Sequence, residues 1–450
     1  MSKWERMMNF TKDDLMVTRR DFLSSSTAMT TAALGAMPLT AWSREANETT
    51  QTELPRGKAE HCVFVWLGGG EGHLDTWDPK TKGDPKEKKP GSYYDSIETA
   101  IPGTRVCEHL SRCAKVLDRF NIVRTVNHDV IDEHAAATNR VHTGRPTGGT
   151  EIYPSIGSIV AHQRGPIADG VPAYVLMGYP NVTRGPGFLG PKYGYVHLTD
   201  TKSGPPALKR SVGINDERQA RREKLLNAVR DDFRGRNSGE GFAAEYDAAI
   251  AAAQKLAGPE FMRLFDLDRE PADLRNEFGG EFGQRCLLAR RLIEGGVRFI
   301  EVSHNLNFLN GTGWDVHNEG IVNQHKLIAE LDQALAALVH DLENKKLLDK
   351  TLIVVATEFG RPAQFDGGGG RGHHAKCFSV VLAGGGLKNG ITIGETDELG
   401  MKIVSRPVSI PDLHATIHCA LGINPREELF AGSRPVPITD DGEPVRELFA

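Results

Sequence analysis

Residues 351 to 374 read TLIVVATEFGRPAQFDGGGGRGHH, and this stretch decides the fold. Leu352 to Ala356 is a short, continuous apolar run rich in β-branched residues, the pattern of a strand buried on both faces of a parallel sheet. The character then changes to Glu358 and Arg361, then to four glycines from Gly367 to Gly370, and finally to Arg371 and the pair His373-His374. In open α/β sheets ligands sit just beyond the carboxyl ends of the strands, and glycine there lets backbone approach a ligand closely. A flexible surface loop with scattered polar residues would read the same in isolation, so the decision passes to the rest of the chain.

The same grammar recurs elsewhere. His61 to Leu67 (HCVFVWL) is a buried strand that runs into GGGEGHLDTWDPK (68–80). Asn121 to Val126, Val171 to Met177, Val297 to Val302 and Phe378 to Leu382 read as further strands. A helix is expected from Glu133 to Val141 with Asp132 as its N-cap. A long amphipathic helix, Gln324 to Asn344, carries Leu327, Leu331, Leu335, Leu338 and Leu342 on one face and leads into the 351–357 strand as a βαβ crossover. Residues 204–294 are Arg/Lys/Glu/Ala-rich, with helical periodicity at 217–234, 241–257 and 281–294, and read as a helical insertion covering one side of the sheet. The fold class expected is α/β with a mostly parallel sheet.

At 450 residues and a net charge of -5, the chain offers no electrostatic case for binding nucleic acid or an acidic membrane surface. Thr18-Arg19-Arg20-Asp21-Phe22-Leu23 precedes an uncharged small and apolar stretch, Ser24 to Ala41, which has the form of a twin-arginine export signal. That stretch is too short and too weakly apolar for a stable membrane span. We therefore expect a signal over 1–46, a linker over 47–60, and one domain over 61–450 acting in the periplasm or outside the cell with no transmembrane span in the mature chain. The six cysteines show no CxxC or zinc-finger spacing, and Cys107 and Cys113 can pair after export.

Chemistry gathers at the strand exits. His73 and Asp75 follow the first strand, Asp315 and His317 follow the 297–302 strand, and Glu358, His373 and His374 follow the 351–357 strand. Asp315 and His317 are two apart, so in an extended segment both point to one side. Imidazole with carboxylate is the ligand set of zinc, iron or manganese, whereas all-oxygen ligation would suggest magnesium or calcium. We expect a divalent metal, zinc ahead of manganese, calcium or magnesium, held by Asp75, Asp315, His317, Glu358, His373 and His374. Arg140, Arg361 and Arg371 are candidates to hold a tetrahedral anion beside it. The plain alternative is that these polar residues cap strands and bind water. A metal with arginines favours hydrolysis of phosphate or sulfate esters, where charge on the transferring group must be neutralised.

GGGEGHLDTWDPK (68–80), DEHAAATNRVHTG (132–144), LLARRLIEGGVRFIEV (287–302), GWDVH (313–317), ATEFGRP (356–362), GRGHHAKCFSVVLAGGG (370–386) and PVSIPDLHATIHCALGI (407–423) together resemble the bacterial family called domain of unknown function 1501, a branch of the alkaline phosphatase/sulfatase superfamily. The resemblance implies an alkaline-phosphatase-like three-layer α/β/α sandwich. It also implies metal roles for Asp315, His317 and His373 or His374, with a small-molecule or glycan sulfate or phosphate ester as substrate. Glu358 falls where the superfamily has an Asp-His dipeptide, with Phe359 in place of the histidine. Where the superfamily carries a Ser, Thr or modified Cys nucleophile, this chain reads Asp132-Glu133-His134-Ala135-Ala136, and Thr138 is expected to face away or lie too deep. His134 is therefore the candidate nucleophile or base, or a metal ligand beside an attacking water. A non-catalytic binding or scaffold protein of an extracytoplasmic polysaccharide or surface complex is the reading from a different class.

Overall fold

Every residue of strand β1, His61–Trp66, is buried, because both of its faces are covered by helices. In the computed structural model, which describes residues 53–201, 204–205, 213–236, 256, 259–306 and 311–450, β1 is central to a nine-stranded sheet. The other strands are β2, Phe120–Asn127; β3, Tyr174–Met177; β4, Val196–His197; β5, Phe299–Ser303; β6, Thr351–Ala356; β7, Phe378–Gly384; β8, Thr392–Ile393; and β9, Val408–Ser409. Their order is β8-β2-β7-β6-β1-β5-β3-β4, with β9 beside the far end of β2. β7 alone runs antiparallel to its neighbours, β2 and β6; all other pairs are parallel. The expected mostly parallel sheet is thus present, with one reversed strand that the apolar run at 378–382 does not announce, since strand direction leaves no mark on composition.

Alternate residues of β1 serve opposite faces. Val63, Val65 and Leu67 join one core with Ile300, Val302, Ile353 and Val355. Helices α4, Glu281–Glu294, and α5, Ile321–Asn344, cover that face with Leu287, Leu288, Leu292, Leu331, Leu335 and Leu338. Cys62, Phe64 and Trp66 join the other core with Phe299, Leu352 and Val354. That face is covered by α1, His134–Thr143, α2, Ile156–Arg164, and α6, Ile410–Ala420, through Val141, Ile159, Val160, Leu413 and Ile417. Each fully buried Leu, Ile or Val contributes roughly 1.5–3 kcal/mol, and two such cores fix a three-layer α/β/α sandwich. Because β6 and β5 both pair with β1 in parallel, Trp66 lies opposite Ala356 on one side and Ser303 on the other. The exits of these three strands therefore open onto one edge of the sheet.

Helix α3, Asp216–Arg236, and α4 both fall in the stretch read as an insertion, but α4 packs directly on the sheet and so belongs to the core layer. The segments expected as an export signal (1–46) and as the helix at 241–257 lie outside the described residues, apart from Leu256. α1 starts one residue later than expected. Its cap is Glu133, whose carboxylate accepts from the Ala135 and Ala136 N–H groups, which leaves Asp132 available to the site. All six cysteines are buried and free, so Cys107 and Cys113 are not paired. Among the described residues no helix is long and apolar enough to cross a membrane.

Candidate metal centre

Among the described residues, His134, Asp315, His317 and His373 each bring one ligand atom to within 4.8 Å of the others. The arrangement centres on Asp315 Oδ1. His134 Nε2 lies 3.4 Å from it, His317 Nε2 3.1 Å and His373 Nε2 3.5 Å. A tetrahedral zinc with bonds of about 2.0–2.1 Å holds its donor atoms about 3.3 Å apart, and these separations are of that size.

What aims the rings is a second set of carboxylates. His134 Nδ1 is 2.8 Å from Glu358 Oε1, and His373 Nδ1 is 2.7 Å from Asp132 Oδ1. His317 Nδ1 faces Asp366 Oδ2 at 3.9 Å, too long for a hydrogen bond but close enough for attraction. A carboxylate at Nδ1 holds the proton there and leaves the Nε2 lone pair for a cation. His317 Nε2 and His373 Nε2 stand only 2.9 Å apart. Two lone pairs repel at that distance unless a proton or a cation lies between them. Donor type and these separations therefore fit a divalent metal.

Local sequence explains the geometry. Asp315 and His317 do not meet along an extended segment as expected. Val316 N–H donates to Trp314 O at 3.0 Å and His317 N–H to Asp315 O at 3.0 Å, so two tight three-residue turns bring both side chains to one point. Gly69 (φ +121°) lies so close beneath them that a Cβ there would stand 2.4 Å from Asp315 N, and its N–H donates to Glu358 Oε1 at 2.8 Å. Phe359 packs its ring against His134 at 4.9 Å and His373 at 4.4 Å between centroids.

The remaining sequence candidates are placed elsewhere. Asp75 is wholly buried in a pair with Arg371, whose other donors reach the carbonyls of Pro362, Ala363 and Gly91. Arg361 is also wholly buried; it donates to Asp315 Oδ1 at 2.7 Å and to the carbonyls of Gly69, Gly70, Trp314, Arg371 and Gly372. It ties three loops together and keeps Asp315 ionised. Arg140 turns back to the Gly144 carbonyl at the end of its own helix. His374 faces the Met401 carbonyl, and Glu358 lies behind His134 rather than among the converging atoms. Thr138 is buried and lines the neighbouring cavity beside His134, not the cleft over the cluster. Asp132 and Asp366 were not foreseen, because a lone aspartate in a loop carries no signal of its partner.

Electrostatics follow from these contacts. Burial alone would lower the His134 pKa, but its bonds to Asp315 and Glu358 outweigh that and raise it to about 9. Burial would raise Asp315, yet His134, His373, Arg361 and the Gly311 N–H hold it far below the usual carboxylate range. Burial and the Arg361 charge lower His317. Above the cluster lies a cleft of about 490 Å³ lined by Asp132, Glu133, His134, Asp315, His317 and His373.

The profile of a family described as "Protein of unknown function (DUF1501)" matches residues 59–449. No curated protein matches the sequence. Among solved structures, the phosphonate monoester hydrolase SpPMH from Silicibacter pomeroyi is similar at 12% identity and a TM-score of 0.39, over 87% of this chain and 77% of that one. The PsFucS1 sulfatase from Pseudoalteromonas sp. is similar at 13% and 0.35, over 84% and 69%. A protein in the alkaline phosphatase superfamily from Vibrio parahaemolyticus is similar at 11% and 0.37, over 82% and 69%. At TM-scores of this size nothing further follows from the likeness.

Proposed function

The chain belongs to the DUF1501 family, and from that premise we propose that it is an exported, zinc-dependent hydrolase of sulfate or phosphate esters. The observation that carries this reading is the convergence of three Nε2 atoms on Asp315 Oδ1, with carboxylates facing all three Nδ1 atoms. The twin-arginine segment at 18–23 supports export.

His134, His317, His373 and Asp315 would hold the metal, which would supply a lowered water pKa and neutralise charge on an ester oxygen. Glu358 and Asp132 fix the tautomers of His134 and His373. Arg361 keeps Asp315 anionic through a buried charge-assisted bond. Phe359 excludes water from the inner side of the His134 and His373 rings. The cleft above the cluster admits an ester group and a water together. No Ser, Thr or Cys stands at residues 132–136, which favours attack by water over a covalent intermediate on a hydroxyl or thiol of that segment.

The test is hydrolysis of aryl sulfates and aryl phosphates by the exported protein, before and after chelation and after zinc is restored. Turnover that is lost on chelation and regained with zinc is the expected result. Full metal occupancy without turnover on any ester of either class would leave the binding-protein reading in its place.

A further inference from the structure

Next to the metal-side cleft lies a second cavity of about 270 Å³, and His134 and Glu133 line both. Its walls carry Trp66, Tyr179, Asn181, Arg184 and Ser303. Arg184 is 3% exposed, and Glu301 accepts from its Nε. Glu301 also accepts from the Tyr174 hydroxyl at 3.0 Å and lies 3.4 Å from His142 Nε2, so the guanidinium is anchored on one side by a fixed, buried carboxylate. Its plane sits over the Trp66 ring at 5.7 Å. Among the described residues, the Nε bond is the only side-chain hydrogen bond Arg184 makes. Nη1 and Nη2 carry four further N–H donors with no acceptor among the described residues, on a side chain that lines the cavity and is open to a ligand there.

A pocket for a drug-sized molecule occupies about 300–1,000 Å³, so this cavity suits one ring-sized group. An aromatic wall with amide and hydroxyl neighbours suits a sugar better than a purely apolar group. His134 stands between the cavity and the cleft. The place of a group held by Arg184 is thus a different cavity from the cleft over the cluster, though the two adjoin at Glu133 and His134.

We propose that this cavity binds a single sugar ring bearing an anionic group of its own, a carboxylate or a sulfate, with that anion on Nη1 and Nη2 of Arg184 and the ring against Trp66. The substrate is then a charged glycan ester, a conclusion that rests on the cluster being the reacting end. Glu301 neutralises the guanidinium while the cavity is empty but occupies only its Nε side, so the ligand meets a pre-aimed fork.

Titration calorimetry at low salt with glucuronate, glucose 6-sulfate and glucose tests this on the wild type, Arg184→Gln, Tyr179→Ala and His317→Ala. The wild type is expected to bind at least one anionic sugar about tenfold to a hundredfold more tightly than glucose, and Arg184→Gln to erase that preference. Whichever anionic sugar is preferred identifies the charged group. Glucose binding as tightly as both anionic sugars, no binding of any sugar, or a preference that survives in a folded Arg184→Gln protein would each overturn the proposal. If Arg184→Gln does not fold, Tyr179→Ala at the exposed mouth decides instead. Weakened binding of the anionic sugar is expected there, and unchanged affinity overturns. The preference should persist in His317→Ala; its loss there would place the anion on the cluster and overturn the assignment to Arg184. Sugar binding without metal in the wild type would count against the hydrolase reading alone, and metal without sugar binding against this inference alone.

Discussion

At the scale of single residues the account turns on what a carboxylate does for its neighbour. Glu358 accepts from Gly69 N–H and faces His134 Nδ1, so it selects the His134 tautomer. Glu358→Gln should lower metal affinity by about 10–100-fold while the fold persists, as measured by competition with a chromogenic chelator. Arg371 makes the opposite case. It is buried with Asp75 and its donors end on backbone carbonyls, so Arg371→Ala should destabilise the protein by about 3–5 kcal/mol, the cost of leaving one charge of a buried pair alone. Its metal content should stay that of the wild type; a stable, metal-depleted Arg371→Ala would show that the residue serves the site. The residue types of the centre were legible in the sequence, because histidine and aspartate cluster at strand exits. Which of them touch was not. Asp75 and Arg371, 296 positions apart, find each other only through the fold.

At the scale of elements, the centre is a meeting of three strand exits and one helix start. Parallel pairing of β1 with β5 and β6 puts Trp66, Ser303 and Ala356 in one row, and the loops beyond them carry Gly69, Asp315 and Glu358. α1 brings His134 in its first turn, with Glu133 as cap. The Gly69 loop must pass beneath Asp315 with no side chain. Gly69→Ala should therefore force the two loops apart, lowering both melting temperature and metal occupancy, since its Cβ would lie 2.4 Å from backbone N and its φ of +121° is one that L residues rarely adopt. Unchanged occupancy in a crystallisable Gly69→Ala would show that the loops have slack. The apolar runs made β1, β5, β6 and α5 legible within a few residues. The reversed direction of β7 and the turns at Trp314–His317 were not legible, since both are set by where the chain must go next rather than by local composition.

At the scale of the molecule, two buried carboxylates pull the pH dependence of stability in opposite directions. Burial raises the Glu71 pKa to about 8, against an ordinary value of 4.5. Between those values the folded state keeps a proton that the unfolded chain has lost, so this group's contribution falls as pH rises from about 4.5 to about 8 and is level above. Glu301 is also penalised by burial, but Arg184 and His142 outweigh that and lower it to about 2, so its contribution is present above about 4.5 and is lost as pH falls toward about 2. Thermal melts of Glu71→Gln should gain on the wild type steadily from pH 4.5 to 8. A constant difference across that window would mean that Glu71 is ionised in the folded protein. The α/β class with a mostly parallel sheet was legible from the strand runs and the helix leading into β6, whereas the three-layer sandwich was implied by the family resemblance.

The most direct test of the central claim is elemental mass spectrometry of protein exported and folded by its own host, alongside His317→Ala prepared in the same way. The account predicts one or more equivalents of zinc per chain in the wild type and its loss in the variant, with both proteins folded. Wild-type protein without bound metal, or a variant that keeps its full complement, would contradict the metal centre and with it the hydrolase.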